Sequence, residues 1–169
     1  MHGIHLAMNN PSFIAWRDAI SDVRDPSNFT EAQRFSLLLE EVEEDLSIEV
    51  ARVLFWLLTD REDHGLKQSV VRLLSGFPIY TYYKALIDDL PRMLADGASK
   101  DWPLIVVDYL GCTITKKIEL SEMLKAYDEA SESNREIFLK FIYSEEFFHE
   151  FEWPSMFKSL LRQRTKNGN

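Results

Sequence analysis

The chain has little of what would staple, anchor or disorder it. A single cysteine among 169 residues cannot close an internal disulfide, so nothing asks for an oxidising compartment. Six glycines and six prolines are too few for a collagen-like or low-complexity chain. No stretch reaches the roughly 18 uncharged apolar residues of a spanning helix, and residues 1–10 lack the cationic-then-apolar order of a secretory leader. A cytoplasmic protein with no membrane partner is expected. Cations are also short: 19 Lys and Arg stand against 28 Asp and Glu, a formal charge of -9. Wrapping nucleic acid needs cations against the phosphates, so no nucleic-acid partner is expected either.

What is present is apolar material, 46% of the chain, enough for one domain over 1–169 with its own core. Its spacing is helical almost throughout, which predicts an all-α fold of eight or nine short antiparallel helices. Pro11 opens the first, running to about 23. Thr30 with Gln33 reads as a capping box for the second, with Phe35, Leu38, Leu39, Val42 and Leu46 on one face. No Gly or Pro stands between Thr30 and Asp60, yet a helix of about 30 residues would be far from the mean near 12. Two helices are therefore expected, broken near Asp45 to Ser47, either of which can cap the next. Asp63 is the expected cap of another helix, ended by Gly76 and Pro78. Residues 81–95 form the next, with Pro91 kinking or dividing it near Asp88 and Asp89. Trp102-Pro103 begins a further helix that stops at Gly111. Its run Leu104-Ile105-Val106-Val107 resembles a strand but has no second run to pair with, so the helix is preferred. Ser133 with Glu136 reads as a second capping box, and Ser144 as the cap of a helix that Pro154 cuts.

A pattern of two apolar residues, one charge and two apolar residues recurs: Val50-Ala51-Arg52-Val53-Leu54, Val70-Val71-Arg72-Leu73-Leu74, Val106-Val107-Asp108-Tyr109-Leu110 and Phe138-Leu139-Lys140-Phe141-Ile142. Such a helix leaves a narrow polar strip and suits a place between neighbours. The longer amphipathic segments 30–46, 81–95 and 116–129 alternate with these. In that layout, and most clearly in Asp63 to Leu74, the chain resembles HEAT-like repeats; the resemblance implies a stack of helical hairpins, with an irregular helical bundle as the alternative.

The residues that might carry chemistry do not assemble a set. Glu146-x-x-His149 has the spacing of a carboxylate-bridged bundle site, but such sites need the motif twice, and Arg61 stands where a second carboxylate would precede His64. His2 and His5 lie near the amino end. Cys112 has no histidine nearby in sequence to act as its base and reads as a small buried side chain. No phosphate loop, serine elbow or zinc spacing occurs. No enzyme, metal or cofactor is expected.

The electrostatic anomaly lies at 40–49, where Glu40, Glu41, Glu43, Glu44, Asp45 and Glu49 crowd together and the nearest cations are Arg34 and Arg52. In a continuous helix Glu40 would face Glu44 and Glu41 would face Asp45, each pair costing roughly 0.2–0.5 kcal/mol. These six acids are the candidate binding residues for a basic protein surface. Asp88, Asp89, Asp128, Glu129, Glu132 and Glu136 would extend the field if they shared its side. Tyr80, Tyr82 and Tyr83, and the group Phe147, Phe148, Phe151, Trp153 and Phe157, mostly suit a core, but the second group spans too wide an arc for one face to hide. Any remainder would suit a partner. Lys158, Arg162, Arg164 and Lys166 read as cations favouring a helix carboxyl end. In size, charge and helical layout the chain resembles the all-α immunity proteins of bacterial toxin systems, including contact-dependent growth inhibition. That resemblance implies a non-catalytic protein that blocks a cognate toxin domain, often a nuclease with a basic cleft. A generic HEAT-like adaptor, or a HEAT-like DNA glycosylase disfavoured by the charge, are the alternatives.

Overall fold

The computed structural model describes residues 11–59, 65–95, 101–108, 117–145 and 147, with the backbone alone at 117–119. These residues form eight α-helices and no strand: α1 (Pro11–Asp22), α2 (Phe29–Glu40), α3 (Ile48–Leu57), α4 (Leu66–Leu74), α5 (Ile79–Ala95), α6 (Asp101–Asp108), α7 (Lys117–Asp128) and α8 (Glu132–Ile142). The fold is all-α as the apolar spacing requires, and the run Leu104-Ile105-Val106-Val107 is helical within α6. The chain gathers into two compact units, Met1–Tyr82 and Tyr83–Asn169.

In the first unit α1 packs on α2, and both α2 and α3 pack on α4. Phe13, Trp16 and Ile20 of α1 are buried, as are Phe35, Leu38 and Leu39 of α2 and Val50, Ala51, Leu54, Phe55 and Leu57 of α3. Each large apolar side chain hidden this way contributes roughly 1.5–3 kcal/mol. The Trp16 indole N–H donates to the Leu38 carbonyl at 2.8 Å, satisfying one of the last four acceptors of α2, which have no partner within the helix.

The cap of α2 is Asn28 rather than Thr30: its side chain accepts from Glu31 N–H at 3.0 Å. The Glu31 carboxylate reaches back to the Ser27 amide at 2.7 Å and the Ser27 hydroxyl at 2.9 Å. An ionised acceptor in the first helical turn gains from both hydrogen bonds and the helix dipole, whereas Gln33 after Thr30 offers only a neutral partner. The amide of Ser27, then its hydroxyl, hold the Glu31 carboxyl below its ordinary 4.5.

Residues 30–60 hold two helices, as expected, with the second capped by Ser47, whose hydroxyl accepts from Val50 N–H. Of the repeated motif, Arg52 on α3 and Arg72 on α4 are exposed while Val50, Leu54, Val70 and Leu74 are buried. The narrow polar strip fits α3 but not α4, where Gln68 and Arg72 are exposed and Ser69, Val71 and Leu73 half-buried. The start of α4 is Gly65, at φ 84°, a left-handed backbone that disfavours other residues; the expected cap Asp63 lies outside the described residues.

Lys67 is a buried cation, 1% exposed. Its ammonium donates to the Arg24 carbonyl at 2.8 Å, lies 3.6 Å from Asp25 and stands 5.8 Å from the centre of the Phe35 ring. Asp25 also accepts from the Thr59 hydroxyl at 2.9 Å, and the Arg24 guanidinium covers the Trp56 ring at 3.8 Å. The turn after α1 is thereby tied both to α4 and to the end of α3.

In the second unit Tyr83, Leu86, Ile87 and Leu90 of α5 are buried, as are Met123 and Tyr127 of α7 and Phe138, Phe141 and Ile142 of α8. The Phe138 ring meets Tyr83 edge-on at 6.4 Å and Tyr127 at 6.2 Å. Pro91 does not divide α5, which runs unbroken from Ile79, two residues earlier than expected. Arg92 forks onto Asp89 across Pro91, at 2.9 Å and 2.5 Å. The cap of α8 is Ser131, accepting from Asn134 N–H at 3.2 Å, not Ser133. Ser144 accepts from Phe147 N–H at 3.3 Å, the cap expected there; Pro154 and the helix beyond lie outside the described residues, as does Gly111.

Two outcomes test these local forces. Lys67→Met keeps the stem and removes the charge, so the unfolding free energy in urea is expected to fall by about 2 kcal/mol. Because the Glu31 carboxyl is held low, its stabilisation is complete above the ordinary carboxylate range and lost as pH falls through its depressed value. Wild type is therefore expected to exceed Glu31→Gln in thermal stability at neutral pH, the gap closing as pH drops below 4.5.

Candidate functional site

The chain leaves α2 at Glu40 and enters α3 at Ile48, so five of the six candidate acids lie at or beyond a helix end. The expected helical contacts Glu40 to Glu44 and Glu41 to Asp45 do not form. In their place residues 41–44 make tight turns, with Val42 N–H on Leu39 O at 3.3 Å, Glu43 N–H on Glu40 O at 3.3 Å and Asp45 N–H on Val42 O at 2.9 Å. Like-charge repulsion favours this break, since stacked carboxylates repel in a helix, and so do Asp45 and Ser47, which turn the chain into the next helix. Against them, the break leaves carboxylates at a helix carboxyl end, where they oppose the dipole. Val42 turns inward and is buried, which anchors the turn.

The six acids then separate by role. Asp45 accepts from Ser47 N–H at 3.0 Å, bending the chain into the cap of α3. Glu49 sits in the first turn of α3, where the dipole favours it. Glu40, Glu41, Glu43 and Glu44 are all exposed. Among the described residues no ion pair involves these four. Elsewhere the acids do differ: Asp88 lies 3.4 Å from Lys84 and Asp89 is held by Arg92, so both are balanced within the second unit.

Glu40 and Glu43 edge a groove of about 750 Å³ between α2 and α4, lined also by Leu39, Leu46, Ser69, Arg72 and Gly76. Leu46 was expected on the buried face of α2, but the helix ends six residues before it and it is 39% exposed. Helical spacing would have kept it inward; the turn redirects it. Along the outer side of α2, Phe29 is 82% exposed and Leu37 is 55% exposed. Eight and eleven residues after Phe29, Leu37 and Glu40 fall within about 80° of it around the helix. Leu37 thus lies on the same outer side as Glu40, three residues before it, while the exposed Gln33 separates it from Phe29 at the other end of the helix.

Among the aromatic candidates, Tyr82, Tyr83 and Phe147 are buried, Phe147 lying 5.6 Å from Phe141, and Tyr80 is half-buried. Phe148, Phe151, Trp153, Phe157 and the carboxyl-terminal cations Lys158, Arg162, Arg164 and Lys166 lie outside the described residues. So do Cys112, His64, Glu146 and His149. Among the described residues no group of three His, Cys, Asp or Glu side chains gathers as a metal site would, and no helix is long and apolar enough to cross a membrane.

No protein-family model, no curated protein and no solved structure matches the chain. The all-α fold and the acid-edged groove stand on their own physics.

Since Phe29 and Leu37 are 82% and 55% exposed, Phe29→Ser and Leu37→Ser are expected to change the unfolding free energy by no more than about 0.5 kcal/mol in urea titration.

Proposed function

We propose that the chain is a non-catalytic, HEAT-like protein-binding protein of the immunity class, acting in the cytoplasm by docking its 40–49 acids on the basic cleft of a cognate toxin domain. The carrying observation is that Glu40, Glu41, Glu43 and Glu44 are exposed at the carboxyl end of α2 and the turn after it, with no ion pair among the described residues. Placing carboxylates against the negative end of a helix costs about 0.3–1 kcal/mol each. The fold supplies no local compensation for that cost, as it does at Asp45 and Glu49. An external cation does, and a desolvated basic cleft would convert the repulsion into steering of the encounter. Leu37, exposed three residues before Glu40, provides apolar area beside the acids of the kind that anchors an interface centre.

The test is co-expression with a candidate toxin domain from a neighbouring open reading frame, read as survival, with association measured on the purified pair. The triple variant Glu40→Lys, Glu41→Lys, Glu44→Lys is expected to slow association by about 10- to 100-fold at low salt and to lose protection. Cations suit the carboxyl end of α2, so this variant remains folded by circular dichroism. Full protection by the variant, or none by wild type, overturns the reading.

A further inference from the structure

The groove between α2 and α4 has two characters in one space. Its aliphatic lining is Leu39, buried, Leu73, half-buried, and Leu46, 39% exposed, beside the hydroxyl side chains Ser36 and Ser69. Its rim carries Glu40 and Glu43 against Arg72, and no ion pair among the described residues joins Arg72 to either acid. Glu41 and Glu44 add negative charge on the adjoining turn. A groove of mixed aliphatic and polar lining, whose polar groups include two carboxylates unpaired among the described residues, accepts a segment that carries both an aliphatic anchor and flanking cations. A second copy of this chain meeting the groove through the same face would bring the same carboxylates to it and be repelled.

We propose that this groove, and not the exposed acids alone, is the recognition site for a basic amphipathic segment of a protein partner: a leucine-like side chain seated on Leu39, Leu46 and Leu73, with flanking arginine or lysine on Glu40 and Glu43. Arg72 takes a backbone carbonyl of the incoming segment and sets its direction. The inference rests on the protein-binding reading above and narrows it to the chemistry of the docking element. Charge brings the segment in, and the aliphatic seat discriminates it from other basic surfaces.

Gly76 makes a steric test possible without touching a charge. It lines the groove, its backbone is not left-handed, and a Cβ added there meets only the Leu73 carbonyl at 3.4 Å, an ordinary contact. Gly76→Trp places a ring in the groove, Gly76→Ala is its control, and Ser69→Trp obstructs the same space from α4 should the first variant fold poorly.

The probes are three short fluorescein-labelled peptides followed by anisotropy: one with leucines flanked by arginines, one with serines replacing the leucines, and one with glutamates replacing the arginines. The leucine–arginine peptide is expected to bind at least about tenfold more tightly than either other peptide. Its amide shifts are expected to gather at 36–46 and 69–76, and whichever tryptophan variant folds is expected to reduce its binding by at least about tenfold while Gly76→Ala retains it. Equal binding of the two arginine peptides, binding unaffected by a folded tryptophan variant, or no binding of the leucine–arginine peptide overturns the proposal. The toxin assay separates the two readings. Protection lost on charge reversal but retained by a folded Gly76→Trp removes the groove and keeps the immunity function; groove-dependent peptide binding without toxin protection removes the immunity function and keeps the groove.

Discussion

The arrangement of the candidate surface depends on a helix that stops without glycine or proline. After Glu40 the backbone leaves the helical path, and the turn that follows is held by Val42 inside and by Asp45 and Ser47 at the start of α3. Were α2 to continue, Leu46 would return to the core side and the carboxylates would stack along one helix face. The break instead leaves Leu46 partly exposed and brings Glu40 and Glu43 to the edge of one groove. Repulsion between like charges and a cap on the following helix act in the same direction here, so a modest local preference becomes a decisive one.

The opposite wall of the groove is held by a different kind of force. α4 has few fully buried apolar residues, and one of its buried positions is the cation Lys67. Burying an ammonium is costly unless its hydrogen bonds and charge are met. The Arg24 carbonyl and Asp25 meet them, and Asp25 is in turn held by Thr59. This ties α4 to the chain segments that end α1 and α3, so the wall bearing Ser69 and Arg72 is anchored by a directional contact as well as by apolar packing.

Much of the fold was legible from the residues in order: helix type from spacing, the division of 30–60 into two helices, and a cap for the second at Asp45 or Ser47, of which Ser47 serves. The misplaced caps share one physical cause. Asn28 and Thr30, or Ser131 and Ser133, are each locally able to start a helix, and the earlier start prevailed in both cases; at Asn28 the reason is visible in the doubly bound carboxylate of Glu31. Pro91 failed to divide α5 because flanking residues on both sides are buried against the second unit's core, which outweighs one missing hydrogen bond. For the site, the acid cluster was legible as composition, but its partition into Asp45 and Glu49 with local roles and four exposed acids without ion pairs was not. Lys67 carried a signal that was available: it stands three and seven residues before Val70 and Leu74, on the apolar side of α4.

By itself, the order of residues determined which segments are helical and where negative charge concentrates, because periodicity, capping and side-chain charge act over a few neighbours in the chain. Tertiary structure alone decided that Lys67 meets the Arg24 carbonyl and Asp25 after α1, and that Glu40 and Glu43 line one groove with Arg72 of α4. Those facts turn on how two helices distant in sequence approach one another, and the energy that sets that approach comes from packed area and matched polar groups that no single segment contains.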